Sequence, residues 1–200
     1  MQQIEPLEFG KYYHIYNRGI NRENLFKENR NHEHFLSLYD KHIDSIAETL
    51  AWCLLKNHFH LLVRIKTFEE ILQTHEEYEI KKIIAPHQSF GNLFNAYIKS
   101  INKSFNRHGA LFERPFKRKH IDNDAYLQNV IKYIHYNPVN HGFCQHPIEY
   151  PWSSYLTCIS EKPTKLKREK VISLFGNIDD LIQSHNQNEK FNDLEKYLNL

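Results

Sequence analysis

Cysteine is scarce in this chain and never grouped: Cys53, Cys144 and Cys158 are odd in number, widely spaced and form no CxxC pair. That argues against a disulfide framework or a structural zinc site, and for a reducing compartment. Long apolar runs are missing too. No stretch approaches the ~18 residues a membrane span needs, and the opening MQQIEPLEFGKYY holds no apolar signal core. The expectation is a soluble cytoplasmic protein with no membrane partner. A surplus of one charge is also absent, because 26 Lys and Arg face 24 Asp and Glu for a net +2. The total therefore says nothing about nucleic acid; only the distribution of the cations can. No internal repeat is visible.

What remains is an ordinary globular composition, 40% hydrophobic and 25% charged over 200 residues. A chain of this length can hide about 70% of its unfolded surface around one core without staples. The 12 Tyr and 13 Phe are plentiful, and aromatics either fill cores or stack on unpaired bases. Fourteen His matter more, since imidazole is both a metal ligand and a proton carrier near neutral pH.

Periodicity orders the elements. The run Lys11 to Arg18 (KYYHIYNR) predicts a strand closed by an Asn17-Arg18-Gly19 turn. Between Asn31 and Glu48, the spacing of Phe35, Leu38, Tyr39, Ile43 and Ile46 predicts a helix. Residues Leu50 to Leu55 and His58 to Ile65 predict a hairpin around Lys56-Asn57. Phe68 to Ile84 predicts a polar helical connection, and Gln88 to Arg107 a long helix stopped by Gly109. Leu111 to Ile121 predicts a strand weakened by Pro115. A helix then starts at an Asp124 cap and stops at Asn137, before Pro138. That order predicts an α+β fold of the ferredoxin-like, split βαβ kind, an antiparallel sheet with helices packed on it. Residues 1–157 are expected to form the main domain. Residues 158–200 are expected to be a charged linker (SEKPTKLKREK) and a short helical tail.

The strand NHFHLLVR places His58 and His60 on one sheet face and Phe59 on the other, because side chains alternate along a strand. Two imidazoles a few ångströms apart are half of a divalent metal site. The chain carries its own control in His32-Glu33-His34. There the same spacing falls at the start of a helix, where residues two apart diverge by about 200° and cannot share an ion. In Lys132-Tyr133-Ile134-His135-Tyr136-Asn137-Pro138, Tyr133 and Asn137 stand one helical turn apart and can meet one object. Asn137 can give an oxygen to a hard cation while the Tyr133 phenol attacks a phosphodiester beside it. Tyr126 and Tyr136 lie on nearly the same helix, but Tyr136 lacks a polar partner one turn on within the helix.

The motifs NHFHLLV, FERPFKRKHI and YIHYNPVNHGF, in this order over roughly residues 9–157, resemble the single-tyrosine HUH transposases, most of all the REP-associated tyrosine transposases. The resemblance implies a ferredoxin-like sheet and a Mg²⁺ or Mn²⁺ ion on His58, His60 and Asn137. It implies Tyr133 as the nucleophile, which would leave a 5′-phosphotyrosine and a free 3′-hydroxyl on single-stranded or hairpin DNA. Some members carry Gln where this chain has Asn137, a shorter arm. Both monomers and homodimers occur among such relatives.

Arg114, Lys117, Arg118 and Lys119 put four cations in six residues beside Phe112 and Phe116, a pattern that suits phosphates and unpaired bases and equally an edge strand guarded by charge. Arg18 and Arg22, around Gly19, form a second candidate DNA contact. Two other functions fit the same residues. One is a non-catalytic hairpin-binding module; the other is a metal-dependent nuclease whose nucleophile is water.

Overall fold

A computed structural model of the chain describes residues 5–73 and 85–186. The elements run β1 (Tyr12–Arg18), α1 (Asn29–Ile43), β2 (Ala47–Leu55), β3 (His58–Ile65), α2 (Phe68–Gln73), α3 (Pro86–Ser104), β4 (Lys117–Ile121) and α4 (Asp124–Asn140). Three short helices follow, α5 (Tyr155–Ile159), α6 (Arg168–Phe175) and α7 (Ile178–Asn186). The strands lie in the order β2-β3-β1-β4 with every neighbour antiparallel. This is the expected α+β, ferredoxin-like sheet: β1, α1 and β2 make the split βαβ unit, and β3 fills the gap between its strands.

Alternation along the strands divides the core in two. Tyr13 and Ile15 of β1, and Phe59, Leu61, Val63 and Ile65 of β3, face α1 and α3. Leu62 of β3 and Ile121 of β4 face α4 and the short C-terminal helices. Both faces are thus covered, and a sheet buried on both sides has no solvated surface to spare for a partner except at its rim. The aromatics serve mainly the first layer, where Phe26, Phe35, Phe59, Phe94, Tyr97 and Phe112 interlock edge to face or tilted.

Several boundaries differ from those expected, each for a local reason. The helix α1 ends at Ile43, and Ile46 belongs to the turn into β2, which begins at Ala47. Of the predicted fourth strand only Lys117–Ile121 forms a continuous ladder; Phe112 makes an isolated antiparallel bridge to Gly19, and Pro115, which has no N–H, interrupts the run between them. The cap of α4 is Asn123, whose side chain accepts from the Tyr126 N–H at 2.8 Å, so Asp124 is the first helical residue. Pro138 does not stop α4. It sits in the last turn, and the helix runs on to Asn140 before Gly142 takes a left-handed φ of 71°. The expected helical connection is observed over α2; its remainder, and the tail beyond Asn186, lie outside the described residues.

Residues 158–186 are not a free linker. Lys165 pairs with Asp40 and Asp44 of α1 and its C-terminal turn, at 3.3 and 3.1 Å, and Lys167 and Lys170 reach Glu48 of β2. Val171 and Leu181 are fully buried in the second core layer. A buried hydrogen-bond chain fastens α7. The His185 Nδ1–H is 2.8 Å from the Leu181 carbonyl, which only accepts, so with one proton per ring His185 Nε2 must accept from His135 Nδ1–H at 2.9 Å. His135 Nε2 then accepts from the Ser154 hydroxyl at 2.8 Å, and Ser154 Oγ accepts the Trp52 N–H of β2 at 2.9 Å. The chain runs in one direction from sheet to tail. Among the described residues no helix is long and apolar enough to cross a membrane.

If α7 is an integral part of the core, Leu181→Ala should cost about 2–5 kcal/mol, the range for a buried leucine truncated to alanine. Urea unfolding monitored by circular dichroism reads this as a lower midpoint with unchanged slope. An unchanged midpoint would mean that the tail is only loosely attached.

Candidate active site

The site is assembled from β1, β3 and α4. Strand alternation turns His58 and His60 to the face that α4 covers, with ring centroids 5.3 Å apart and planes at 86°. From Val130 to Pro138 helix α4 is buried at every residue but Lys132, because the sheet lies on one side and the C-terminal helices on the other. That double burial holds Tyr133 over the His60 ring, centroids 5.4 Å apart in an edge-to-face contact. One turn further, Asn137 Oδ1 stands 3.0 Å from His58 Nε2. Tyr133, His58 and His60 wall one open cavity of about 340 Å³, with Arg18, Arg22 and Lys117 around it. Tyr133 is 1% exposed, so its ring is packed even though it lines the cavity.

The imidazoles are neutral at pH 7. Burial lowers the His58 pKa to about 4, with His141 and Arg18 adding in the same direction and the Asn137 contact opposing. Burial pushes His60 well below its ordinary value, and His14, on β1, to about 3. A neutral ring has a single N–H. His58 Nδ1 lies 2.7 Å from Asn57 Oδ1 and its Nε2 3.0 Å from Asn137 Oδ1. Both oxygens accept, so the single N–H serves one of them, and with the proton toward Asn57 the Nε2 lone pair faces the Asn137 oxygen. His60 Nε2 and Asn137 Nδ2 are buried with no hydrogen-bond partner among the described residues. Two donors about 2.1 Å from one octahedral ion and about 90° apart lie about 3.0 Å from each other. His58, His60 and Asn137 are thus a donor set that a hard divalent cation fits. Among the described residues no group of three His, Cys, Asp or Glu that could hold a metal is present, so an ion at His58 and His60 would need a donor of another kind, and the Asn137 carboxamide stands beside them.

The control pair behaves as helix geometry requires. His32 is stacked between Phe26 and Trp152, at 4.5 and 4.4 Å, while His34 lies beside Tyr97. They point apart. The rival tyrosines are also engaged elsewhere: Tyr136 donates its hydroxyl to the His185 carbonyl, and Tyr126 does not line the cavity.

The six expected DNA-contact residues divide. Arg18, Arg22 and Lys117 reach the cavity wall, Arg18 in an ion pair of 2.5 Å with Glu113. Arg114 is exposed just before β4. Lys119 is half-buried on β4 opposite His14, and Arg118 alternates to the other face, its guanidinium 4.0 Å from the Phe116 ring centroid. Phe112 and Phe116 are not base-stacking platforms, because both pack into the first core layer against Phe94.

Sequence reasoning missed His14, Asn57, Glu113 and His141. Two of these carried a usable signal. His14 shares its strand face with Tyr16, the residue paired with His60, and His141 continues the Tyr133, Asn137 spacing by one more turn. Glu113 carried none, since only the fold brings it to Arg18. Gly19 holds the mouth of the cavity for a steric reason: a Cβ there would lie 2.0 Å from the Glu23 carbonyl oxygen.

No family model matches the chain. A protein of Haemophilus influenzae described as a putative REP-associated tyrosine transposase is 30% identical over 110 residues. The match covers 54% of this chain and 58% of that protein, so the chain spans less than two thirds of the relative's length. A solved structure, that of the REP-associated tyrosine transposase bound to a REP hairpin, superposes with a TM-score of 0.60 at 14% identity. It covers 82% of this chain and 88% of that one, and at that identity it shows a common fold. The chain is therefore similar to REP-associated tyrosine transposases in both sequence and architecture, as its motifs suggested.

Histidines held neutral by burial predict an acid limit. Their folded pKa lies below the unfolded value near 6.5, so the unfolded chain takes protons first as pH falls. Their stabilising contribution is complete above pH 6.5 and is lost progressively toward pH 4 to 3. The urea midpoint should be lower at pH 5 than at pH 7; equal midpoints would show that these rings are solvated.

Proposed function

We propose that the chain is a REP-associated tyrosine transposase, a metal-dependent endonuclease and strand transferase acting on single-stranded or hairpin DNA. The observation that carries this reading is the convergence of Tyr133 of α4 with His58 and His60 of β3 on one cavity, with Asn137 Oδ1 against His58 Nε2. The solved neighbour is bound to a REP hairpin, and a hairpin is the substrate class proposed for this chain.

In this reading His58, His60 and Asn137 hold Mg²⁺ or Mn²⁺, which when bound would polarise the scissile phosphate. Packing holds the Tyr133 ring in a fixed place relative to that phosphate, and this restriction converts a bimolecular attack into a positioned one. The phenolic oxygen forms a bond to phosphorus as the bond from phosphorus to the 3′ oxygen breaks. The phenol loses one proton and the departing 3′-hydroxyl gains one. The 5′-phosphotyrosine keeps the energy of the phosphodiester, so an incoming 3′-hydroxyl can reverse the step and join a new strand. Arg18, Arg22 and Lys117 offer cations to the DNA backbone at the cavity wall. Arg18 must exchange its Glu113 partner for a phosphate, a swap between two anions that costs little net charge.

Incubation with end-labelled hairpin DNA and Mn²⁺ should give a protein–DNA adduct that survives denaturing electrophoresis. Tyr133→Phe should abolish it and leave hairpin binding within a small factor of the parent; EDTA should do the same. An adduct that persists in Tyr133→Phe places the nucleophile elsewhere. Cleavage without any adduct indicates a water nucleophile, and binding with neither indicates a hairpin-binding module.

Neutralising Arg22 and Lys117 together should weaken binding and flatten the dependence of log K on log salt by about 0.7–0.9 for each phosphate left without its cation. Arg118→Ala, whose cation lies on the other face, should leave that slope unchanged. A slope altered by Arg118 alone would move the DNA track to the α3 side of the sheet.

A further inference from the structure

The mechanism uses His58 and His60 and leaves a third buried imidazole beside them without a part. His14 of β1 is fully buried; its ring meets that of His60 edge to edge, centroids 5.0 Å apart and planes at 23°, with its Nε2 2.9 Å from His60 Nδ1. The outward nitrogen of each ring, His14 Nδ1 and His60 Nε2, is buried without a hydrogen-bond partner among the described residues. One bond between two neutral imidazoles needs one N–H and one lone pair, so the pair has two states. Either His14 Nε2–H donates and His60 is left with its proton on Nε2, or His60 Nδ1–H donates and Nε2 keeps its lone pair. Only the second state can ligate a cation.

We propose that His14 is a positioning residue that holds His60 as the Nδ1–H tautomer and fixes its ring, so that Nε2 presents a lone pair to the divalent ion. This role rests on the metal site proposed for His58, His60 and Asn137. Asn57 gives the same service to His58, accepting Nδ1–H at 2.7 Å and leaving Nε2 bare toward Asn137. The two ligands are thereby oriented by partners of different kind, an amide oxygen for one and an imidazole for the other. His14 is well suited to this because it cannot swing away. Tyr16 stacks on it at 4.8 Å, and the edge-to-face Tyr133 ring closes the side toward α4 at 6.1 Å. Such outer partners set ligand orientation and basicity, and losing one typically weakens metal binding about 10–100-fold.

The test measures Mn²⁺ affinity by calorimetry for the full chain and for His14→Phe and His14→Gln, with circular dichroism to confirm folding. His14→Phe should lose about 10–100-fold in affinity. His14→Gln, whose amide oxygen can accept from His60 Nδ1–H, should recover most of that loss. In parallel, long-range ¹H–¹⁵N correlation spectra of the parent protein with Mg²⁺ should show His60 protonated at Nδ1 and bare at Nε2, a readout that needs no variant and no DNA. Equal affinity in the parent and His14→Phe overturns the role of His14 and leaves the metal site standing, whereas a His60 protonated at Nε2 in the Mg²⁺-bound protein removes His60 as a ligand and overturns both. A parent protein that takes up no Mn²⁺ overturns both.

Discussion

The arrangement depends on one constraint: α4 is clamped between the second face of the sheet and the C-terminal helices. Leu62 and Ile121 on the sheet side, and Val171 and Leu181 on the other, bury it so thoroughly that even His135 and Asn137 have no exposed surface. A helix so held cannot rotate without exposing apolar side chains on one side or stranding polar ones on the other. Its azimuth then decides everything chemical, because Tyr133 and Asn137 share the stripe that meets His58 and His60. The His135–His185 hydrogen bond and the one-way donor chain from Trp52 to Leu181 reinforce the clamp with directional contacts.

The site gathers nitrogen and oxygen donor atoms close together in a buried place. Burial keeps the imidazoles neutral, and His60 Nε2 has no hydrogen-bond partner among the described residues. Such a cluster is unfavourable by itself, since buried lone pairs without donors forfeit hydrogen bonds. Folds tolerate that cost at places where a ligand relieves it. The cations Arg18, Arg22 and Lys117 line the same cavity.

Much of this was readable from residue order. Strand alternation alone placed His58 and His60 on one face, helical spacing alone joined Tyr133 to Asn137, and the contrast between strand and helix disposed of His32 and His34. These are consequences of backbone geometry over a few residues, and local geometry survives any tertiary context. The charged run at Lys165 to Lys170 was misleading because it has the composition of a linker. Its partners, Asp40, Asp44 and Glu48, lie more than a hundred residues earlier, and nothing local announces them. Phe112 and Phe116 were ambiguous for a similar reason, since a ring suited to a base is equally suited to a core.

By itself, then, the sequence determined the kind of sheet, the paired imidazoles and the tyrosine–asparagine face, which follow from the order of the elements and from periodicities of two and 3.6 residues; it also carries the motifs that resemble those of REP-associated tyrosine transposases. Tertiary structure decided which face of the sheet α4 covers, that His14 partners His60 across the β1–β3 ladder, and that Arg118 lies away from the cavity while Lys117 lines it. It also decided that the C-terminal helices are part of the core. Those outcomes depend on strand order and on burial against distant segments, quantities that no short window of residues contains.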